Sequence, residues 1–448
     1  MRALARRRCQ ALCAAGVLLA SAALLALPAG APALTLDPRS IRSATLTNGL
    51  RLVVCEDQAA PVVSVEVVVR AGSADESPVE SGIAHLLEHI CWVGAADSDP
   101  REAIEEVGGY TNAGTLRDFT RYYAIVQPAD FARSLQALGD MLLRDEFDAA
   151  AISRQRSLIL SEAASRMDRP RAALNDIAFA SLYGDAHPYG RHIEGAEQTL
   201  SRVTSASLSR FHRTWYVPNN MAVIVAGKVG FDAALAEVKR VFGGLAPAAL
   251  PPRSRPPMPR PAEGGEVVVE APVQEAYLMA AFVGPAISEP MAVASSDVLA
   301  TLLAHPQMGR LARELRDRRS LVKAIGVDFL TQRERGLFGV WAVCEPATIP
   351  AAQEAIAAEL ARAASQPLAA GELASAKRLL ASDYAFANET AGDRAGSLGF
   401  YEAIDTYRTA SQYLGLVHAV TAEQIAATAA WYAGKPVWVV MKPAGGAQ

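Results

Sequence analysis

His85-Leu86-Leu87-Glu88-His89 is the stretch on which the reading of this chain turns. It lies within residues 80–92, a segment without Pro whose only Gly, Gly82, stands near its start, so a helix is expected there. On a helix His85 and His89 are four residues apart, and their imidazoles project from one face about 6 Å apart. Two imidazoles at that spacing can grip one Zn2+ from one side. Glu88 adjoins His89 and lies three residues beyond His85, at the edge of the same face, where it can reach a metal-bound water without ligating the metal. This is the zincin pattern reversed, His-x-x-Glu-His. The competing reading is a surface helix that happens to carry two His and a Glu. Leu86, Leu87 and Ile90 argue instead for a buried helix, in which two unsatisfied imidazoles would be costly.

A catalytic zinc needs a third protein ligand and an open position for water. Glu102, Glu105 and Glu106 follow on a short helix just downstream. Glu162 lies further on, on a helix that Asp148 can cap, next to the apolar run Leu158-Ile159-Leu160. A lone carboxylate beside such a run asks for a partner, although a half-exposed helix acid reads the same way. The residues alone leave this choice open.

Outward from the motif, the chain divides in two. Residues 246–265 are dense in Pro and read as an extended, semi-rigid linker. They separate an N-terminal domain at 34–245 from a C-terminal domain at 266–448. Each domain opens with β-branched runs bounded by turn residues, at 50–54 and 62–69 in the first and at 267–269 and 276–283 in the second. Each then turns helical. Asp99-Pro100 marks a helix start that Gly108-Gly109 ends, and Asp148 begins a helix running to about residue 167, before Pro170. Residues 308–320 and 372–387 have helical spacing. The repeated order predicts an α+β protein of two similar mixed domains and hints at duplication, although identity between the halves is too low to prove it.

Residues 1–33 read as an address. Arg2, Arg6, Arg7 and Arg8 precede an apolar run at 10–27, and Ala31-Pro32-Ala33 offers a small-x-small cleavage site, the layout of a secretory signal peptide. A membrane anchor is the competing reading. The run is short for a span of ~20 residues and no basic stop-transfer cluster follows it. The expected location is periplasmic or secreted, with no membrane span in the mature chain. Cys9 and Cys13 leave with the leader, and Cys55, Cys91 and Cys344 are too few and too odd in number for a disulfide framework. Of the 448 residues, 51% are hydrophobic and 20% charged, an ordinary globular balance. The net charge is −4, and removal of the basic leader makes the rest more acidic still. With no basic stripe, nucleic acid is not an expected partner. There is no phosphate loop and no Ser-His-Asp set.

Several further stretches bear a family likeness. Gly108-Gly109-Tyr110-Thr111-Asn112-Ala113-Gly114-Thr115, continuing through Asp118 to Tyr122, joins the His85–His89 motif and the Leu158-Ile159-Leu160-Ser161-Glu162 stretch. His187-Pro188-Tyr189-Gly190 and Glu314-Leu315-Arg316-Asp317-Arg318-Arg319 add two more matches. Together they resemble the pitrilysin (M16) family of zinc metallopeptidases, in its two-domain, processing-peptidase-like bacterial form. The resemblance implies two α/β-roll domains, one Zn2+ held by His85, His89 and Glu162, and Glu88 as general base. It places Asn112 and Ala113 on an edge strand that pairs with an extended peptide substrate, and makes Arg316 half of an Arg–Tyr pair that clamps the peptide. Two departures stand out. Gln155 occupies the position of a second glutamate, and Lys323 that of the clamping Tyr. A chain with half a clamp is expected to work as a heterodimer with a similar subunit carrying the Arg–Tyr pair, a homodimer being the alternative. The rival to an endopeptidase is a non-catalytic or weakly active scaffold subunit of the same fold.

Overall fold

The computed structural model describes residues 36–94, 99–253 and 264–444. The expected leader at 1–33 lies outside the described residues, as does the 254–263 part of the Pro-rich linker.

The first half builds a six-stranded sheet. Its strands are β1 (Ile41–Thr45), β2 (Arg51–Glu56), β3 (Val63–Val69), β4 (Tyr110–Thr115), β5 (Thr120–Val126) and β6 (Met221–Gly227), in the spatial order β1-β2-β6-β3-β5-β4. Every residue of β3 and β6 is buried. Both faces of the sheet are therefore covered, which is why these strands read as near-continuous apolar runs rather than alternating ones. Val63, Val65, Val67 and Val69 face one core, while Val68 faces another.

The second half builds a sheet from β7 (Gly265–Ala271), β8 (Ala276–Val283), β9 (Ala324–Phe329), β10 (Leu337–Cys344) and β11 (Val437–Pro443), ordered β7-β11-β8-β10-β9. Setting β1 aside, it repeats the first sheet strand for strand. β2 runs parallel to β6 as β7 does to β11, and every other pair in the two sequences β6-β3-β5-β4 and β11-β8-β10-β9 is antiparallel. The repetition hinted at by element order is present in the topology.

Four helices set up the site and the join between halves: α1 (Ile83–Cys91), α2 (Ala149–Ser165), α3 (Pro170–Tyr183) and α4 (Ala391–Ile404). α3 belongs to the first half, yet it packs Ala173, Leu174, Ala178 and Phe179 with Met279, Ala281, Val439 and Met441 of the second sheet. α4 belongs to the second half, yet it packs Ala395 and Leu398 with Val53, Val68, Ala222 and Ile224 of the first. Each half covers the face of the other's sheet that its own helices leave bare. Buried polar ties fix the exchange. Glu402 on α4 accepts from Arg70 and from the Tyr407 N–H at 3.0 Å. Asp118, between β4 and β5, accepts from the Tyr189 hydroxyl at 2.6 Å and from the Arg333 N–H at 2.8 Å. The described residues accordingly group as one compact unit.

Two helix expectations are corrected. The spacing at 308–320 predicts one α-helix, but the chain turns at 306–308, becomes helical at 310 and winds as a wide π-helix over Ala312–Arg318. Gly309 explains the break, because a Cβ there would stand 2.6 Å from the His305 nitrogen and 2.7 Å from the carbonyl oxygens of His305 and Leu303. The helix after Asp99 shortens to Glu102–Glu105, with the Asp99 carboxylate accepting from Arg101 N–H at 2.9 Å. Cys55, Cys91 and Cys344 are all buried free thiols, so no bridge forms among them.

α1 starts at Gly82 for a steric reason. Gly82 has φ +96°, and a Cβ there would sit 2.6 Å from the Glu194 carbonyl oxygen and 2.8 Å from Leu200 Cδ2. The buried Glu76 carboxylate accepts the N–H groups of Gly82 and Ala84, both at 2.9 Å, satisfying donors that a first helical turn leaves orphaned. Burial pushes that carboxyl up to about 8, against the pull of the two amides. Gly82→Ala is expected to destabilise the chain by ~1–3 kcal/mol through strained backbone. A fall in thermal midpoint measures it, and an unchanged midpoint would show that the turn relaxes freely.

Candidate active site

α1 is amphipathic in the way its sequence demands. Ile83, Ala84, Leu86, Leu87, Ile90 and Cys91 are buried, and the His85 and His89 side chains keep 14% and 17% of their surface exposed on one strip. The rings are 4.7 Å apart between centroids and nearly perpendicular, at 83°. Glu162 reaches this pair from α2, with its Oε2 3.6 Å from His89 Nε2 and 4.0 Å from His85 Nε2. Both distances are too long for a hydrogen bond. They are close to the roughly 3.4 Å that separates atoms arranged tetrahedrally at about 2.1 Å around one zinc ion. The three donors lie within 4.8 Å of one another, and among the described residues this is the one such trio of His, Cys, Asp or Glu.

The surroundings of His85 keep it available as a ligand. Burial, with the charges of His89 and Arg166 adding to it, pushes His85 down to about 3, so its imidazole is neutral near pH 7 and keeps a lone pair to donate. His85 Nδ1 is buried without a partner. His89 Nδ1 faces Gln155 Oε1 at 3.3 Å. A carbonyl oxygen can only accept, so Nδ1 donates to it and Nε2 is the ring nitrogen turned to Glu162. The amide at the expected second-glutamate position therefore still orients the imidazole, without adding negative charge.

Glu88 is buried beside the trio. The Thr115 hydroxyl donates to its Oε2 at 2.6 Å. Burial pushes the Glu88 carboxyl up to about 7, the Thr115 hydrogen bond pulls it down, and the Glu162 charge adds to the rise.

β4 closes one side of the site as the last strand of its sheet, paired only with β5 among the described residues. Asn112 is exposed there and accepts the Ala113 N–H on its Oδ1 at 2.9 Å, while its Nδ2 donates to the Tyr110 hydroxyl at 3.3 Å. Ala113 packs against the core of the first half. Arg316 is not drawn into the trio: its guanidinium holds Asp317 at 2.7 Å and the Pro306 carbonyl at 2.8 Å. Lys323 is likewise occupied, by Glu275 at 2.8 Å and by Glu345. Glu102, Glu105 and Glu106 are exposed and outside the trio, with Glu106 pairing to Arg133 at 2.6 Å.

The flanks of Glu162 differ from expectation. The apolar run does not enclose the carboxylate, since Leu158 and the Glu162 side chain are each 52% exposed. α2 buries a narrow stripe, Ala151, Ile152 and Ile159, and leaves the rest open. Of the remaining motif residues, His187 accepts the Tyr189 N–H on Nδ1 at 3.1 Å and serves the turn. Thr115 is the functional contact that the sequence reading passed over. It stands three residues beyond Asn112, but only the packing of β4 on α1 shows what its hydroxyl reaches.

A six-strand sheet, its five-strand repeat and this His-His-Glu trio define a class, and comparison with known proteins places the chain within one. The insulinase (peptidase family M16) model matches residues 51–197, and the peptidase M16 inactive domain model matches residues 202–380. An uncharacterized zinc protease of Mycobacterium tuberculosis is 31% identical over 408 residues, which are 89% of this chain and 91% of the relative. A probable mitochondrial-processing peptidase subunit beta of Arabidopsis thaliana is 29% identical over 323 residues, 68% of this chain and 59% of the relative. Among solved structures, a protease from Helicobacter pylori superposes with TM-score 0.82 at 24% identity, covering 90% of this chain and 99% of that one. The chain belongs to peptidase family M16, a family of zinc metallopeptidases.

Proposed function

We propose that this chain is the zinc-bearing, catalytic subunit of an exported endopeptidase. In this reading His85, His89 and Glu162 hold one Zn2+ per chain, and Glu88 is the general base. The observation that carries the reading is the convergence of two imidazole nitrogens and one carboxylate oxygen within 4.8 Å of one another, with a buried carboxylate beside them. A zinc ion there supplies Lewis-acid polarisation of the scissile carbonyl and acidifies a water. Glu88 takes a proton from the attacking water, whose oxygen bonds to the carbonyl carbon. The same carboxyl returns the proton to the amide nitrogen as the C–N bond breaks, leaving a carboxylate and an amine. The free edge of β4, with Asn112 and Ala113, pairs with an extended substrate. Main-chain pairing of that kind asks for an unfolded segment or short peptide rather than a particular sequence.

The leader at 1–33 supports export to a periplasmic or secreted location. Lys323 supports a partner. Its ammonium is held by Glu275 and Glu345, so it cannot serve as the packing phenol of a clamp. A similar subunit carrying an intact Arg–Tyr pair would complete that clamp and close the chamber, and one family relative is itself named as a subunit. A homodimer is the competing arrangement. A non-catalytic scaffold role is the second reading, favoured by the inactive-domain match alone. The test is peptide hydrolysis by the purified chain, alone and mixed with a candidate partner, before and after chelation. Weak hydrolysis alone, a clear gain on mixing, loss with chelator and return with zinc are expected. Full activity alone with no gain on mixing would overturn the heterodimer, and zinc-replete chains inactive in every mixture would favour the scaffold.

A further inference from the structure

We propose that Thr115 is a positioning residue that aims the general base, an inference that rests on the reading of Glu88 given above. Glu88 occupies a buried place with one hydroxyl on its carboxylate, that of Thr115, at 2.6 Å on Oε2. A glutamate side chain has three rotatable bonds and samples many rotamers unless something holds its end. The Thr115 hydroxyl, together with a hydrogen bond from the Thr115 backbone, holds the end of that side chain.

The anchor is rigid. Thr115 ends β4 opposite Thr120, and the turn to β5 is closed by the Leu116 N–H donating to the Phe119 carbonyl at 2.8 Å. Its β-branched side chain has a restricted χ1. The bond also spans two elements with different tasks: α1 carries the histidines, and β4 carries the edge offered to the peptide. Thr115 thus registers the base against the strand along which the scissile bond would lie. A displacement of about 1 Å in a reacting group costs on the order of 10²-fold in rate.

Thr115→Val removes the hydroxyl and keeps the shape. It is expected to lower kcat by ~10–10²-fold, with KM, zinc content and thermal midpoint near those of the unmodified chain. Thr115→Ser is expected to recover most of kcat, because it restores the donor. Should the valine not pack, Thr115→Ala removes the same hydroxyl without adding a methyl against the carboxylate. A kcat near the original in the Val or Ala protein would overturn the proposal, as would a Ser protein as slow as Val, or a rate loss that follows lost zinc. Glu88→Gln separates the two levels. If that protein is inactive while Thr115→Val is unimpaired, only the positioning role falls. If Glu88→Gln itself is active, the base assignment falls and Thr115 with it.

Discussion

Glu88→Gln is expected to bind zinc as the unmodified chain does and to hydrolyse peptides several orders of magnitude more slowly. The amide is isosteric, so α1 keeps its packing and His85, His89 and Glu162 stay in place. What disappears is the acceptor for the water's proton. General-base assistance contributes ~10²–10⁴-fold, and the amide can also turn its NH2 towards the water and misplace it. Elemental analysis and a fluorogenic-peptide assay on the same preparation read both halves of the expectation. Near-normal turnover at full zinc occupancy would remove Glu88 from the mechanism. Zinc lost together with activity would instead make Glu88 part of the metal's support.

Glu162→Gln is expected to lose most bound zinc, and with it hydrolysis. An imidazole ligates a metal as an uncharged donor, so within the trio only the carboxylate can supply compensating charge. It is also the only donor that does not come from α1. Without it, the two histidines grip an ion from one side alone. The half-exposed position of Glu162 makes the test clean, because the substitution removes no buried packing and should leave the thermal midpoint of the metal-free chain nearly unchanged. His85→Ala is the companion variant, expected to lose zinc equally. Undiminished zinc in the Glu162→Gln protein would exclude that residue from the ligand set.

Part of this site was readable before any fold was known. His85, Glu88 and His89 lie within two helical turns, and the 3.6-residue period alone puts the imidazoles on one face. Their spacing depends on backbone geometry that no distant residue alters. The Asp148 cap is equally local, and its carboxylate accepts the Ala151 N–H at 2.8 Å as the text around it suggests. The β-branched runs likewise became β3 and β8 with little change in bounds.

Glu162 shows where such reading stops. Its apolar neighbours suggested enclosure, yet Leu158 is exposed, and the carboxylate meets the histidines only because α2 packs along α1. Thr115 was invisible as a partner of Glu88 for the same reason, since the contact joins residues 27 apart on different elements. The break at Gly309 depended on backbone from the preceding turn closing over it.

The sequence by itself determined the periods, the caps, the two β-rich openings and the pair of histidines with its glutamate, because each is set by sterics within a few residues. Only the tertiary structure decided that α3 and α4 change places, each covering the other half's sheet. An apolar helix face records that it must be buried but carries no address for where. The address comes from whichever sheet face remains uncovered and from the polar ties that fit there, such as Glu402 with Arg70 and Asp118 with Tyr189. That same non-local packing brings α2 and β4 against α1 and gathers the residues of the site.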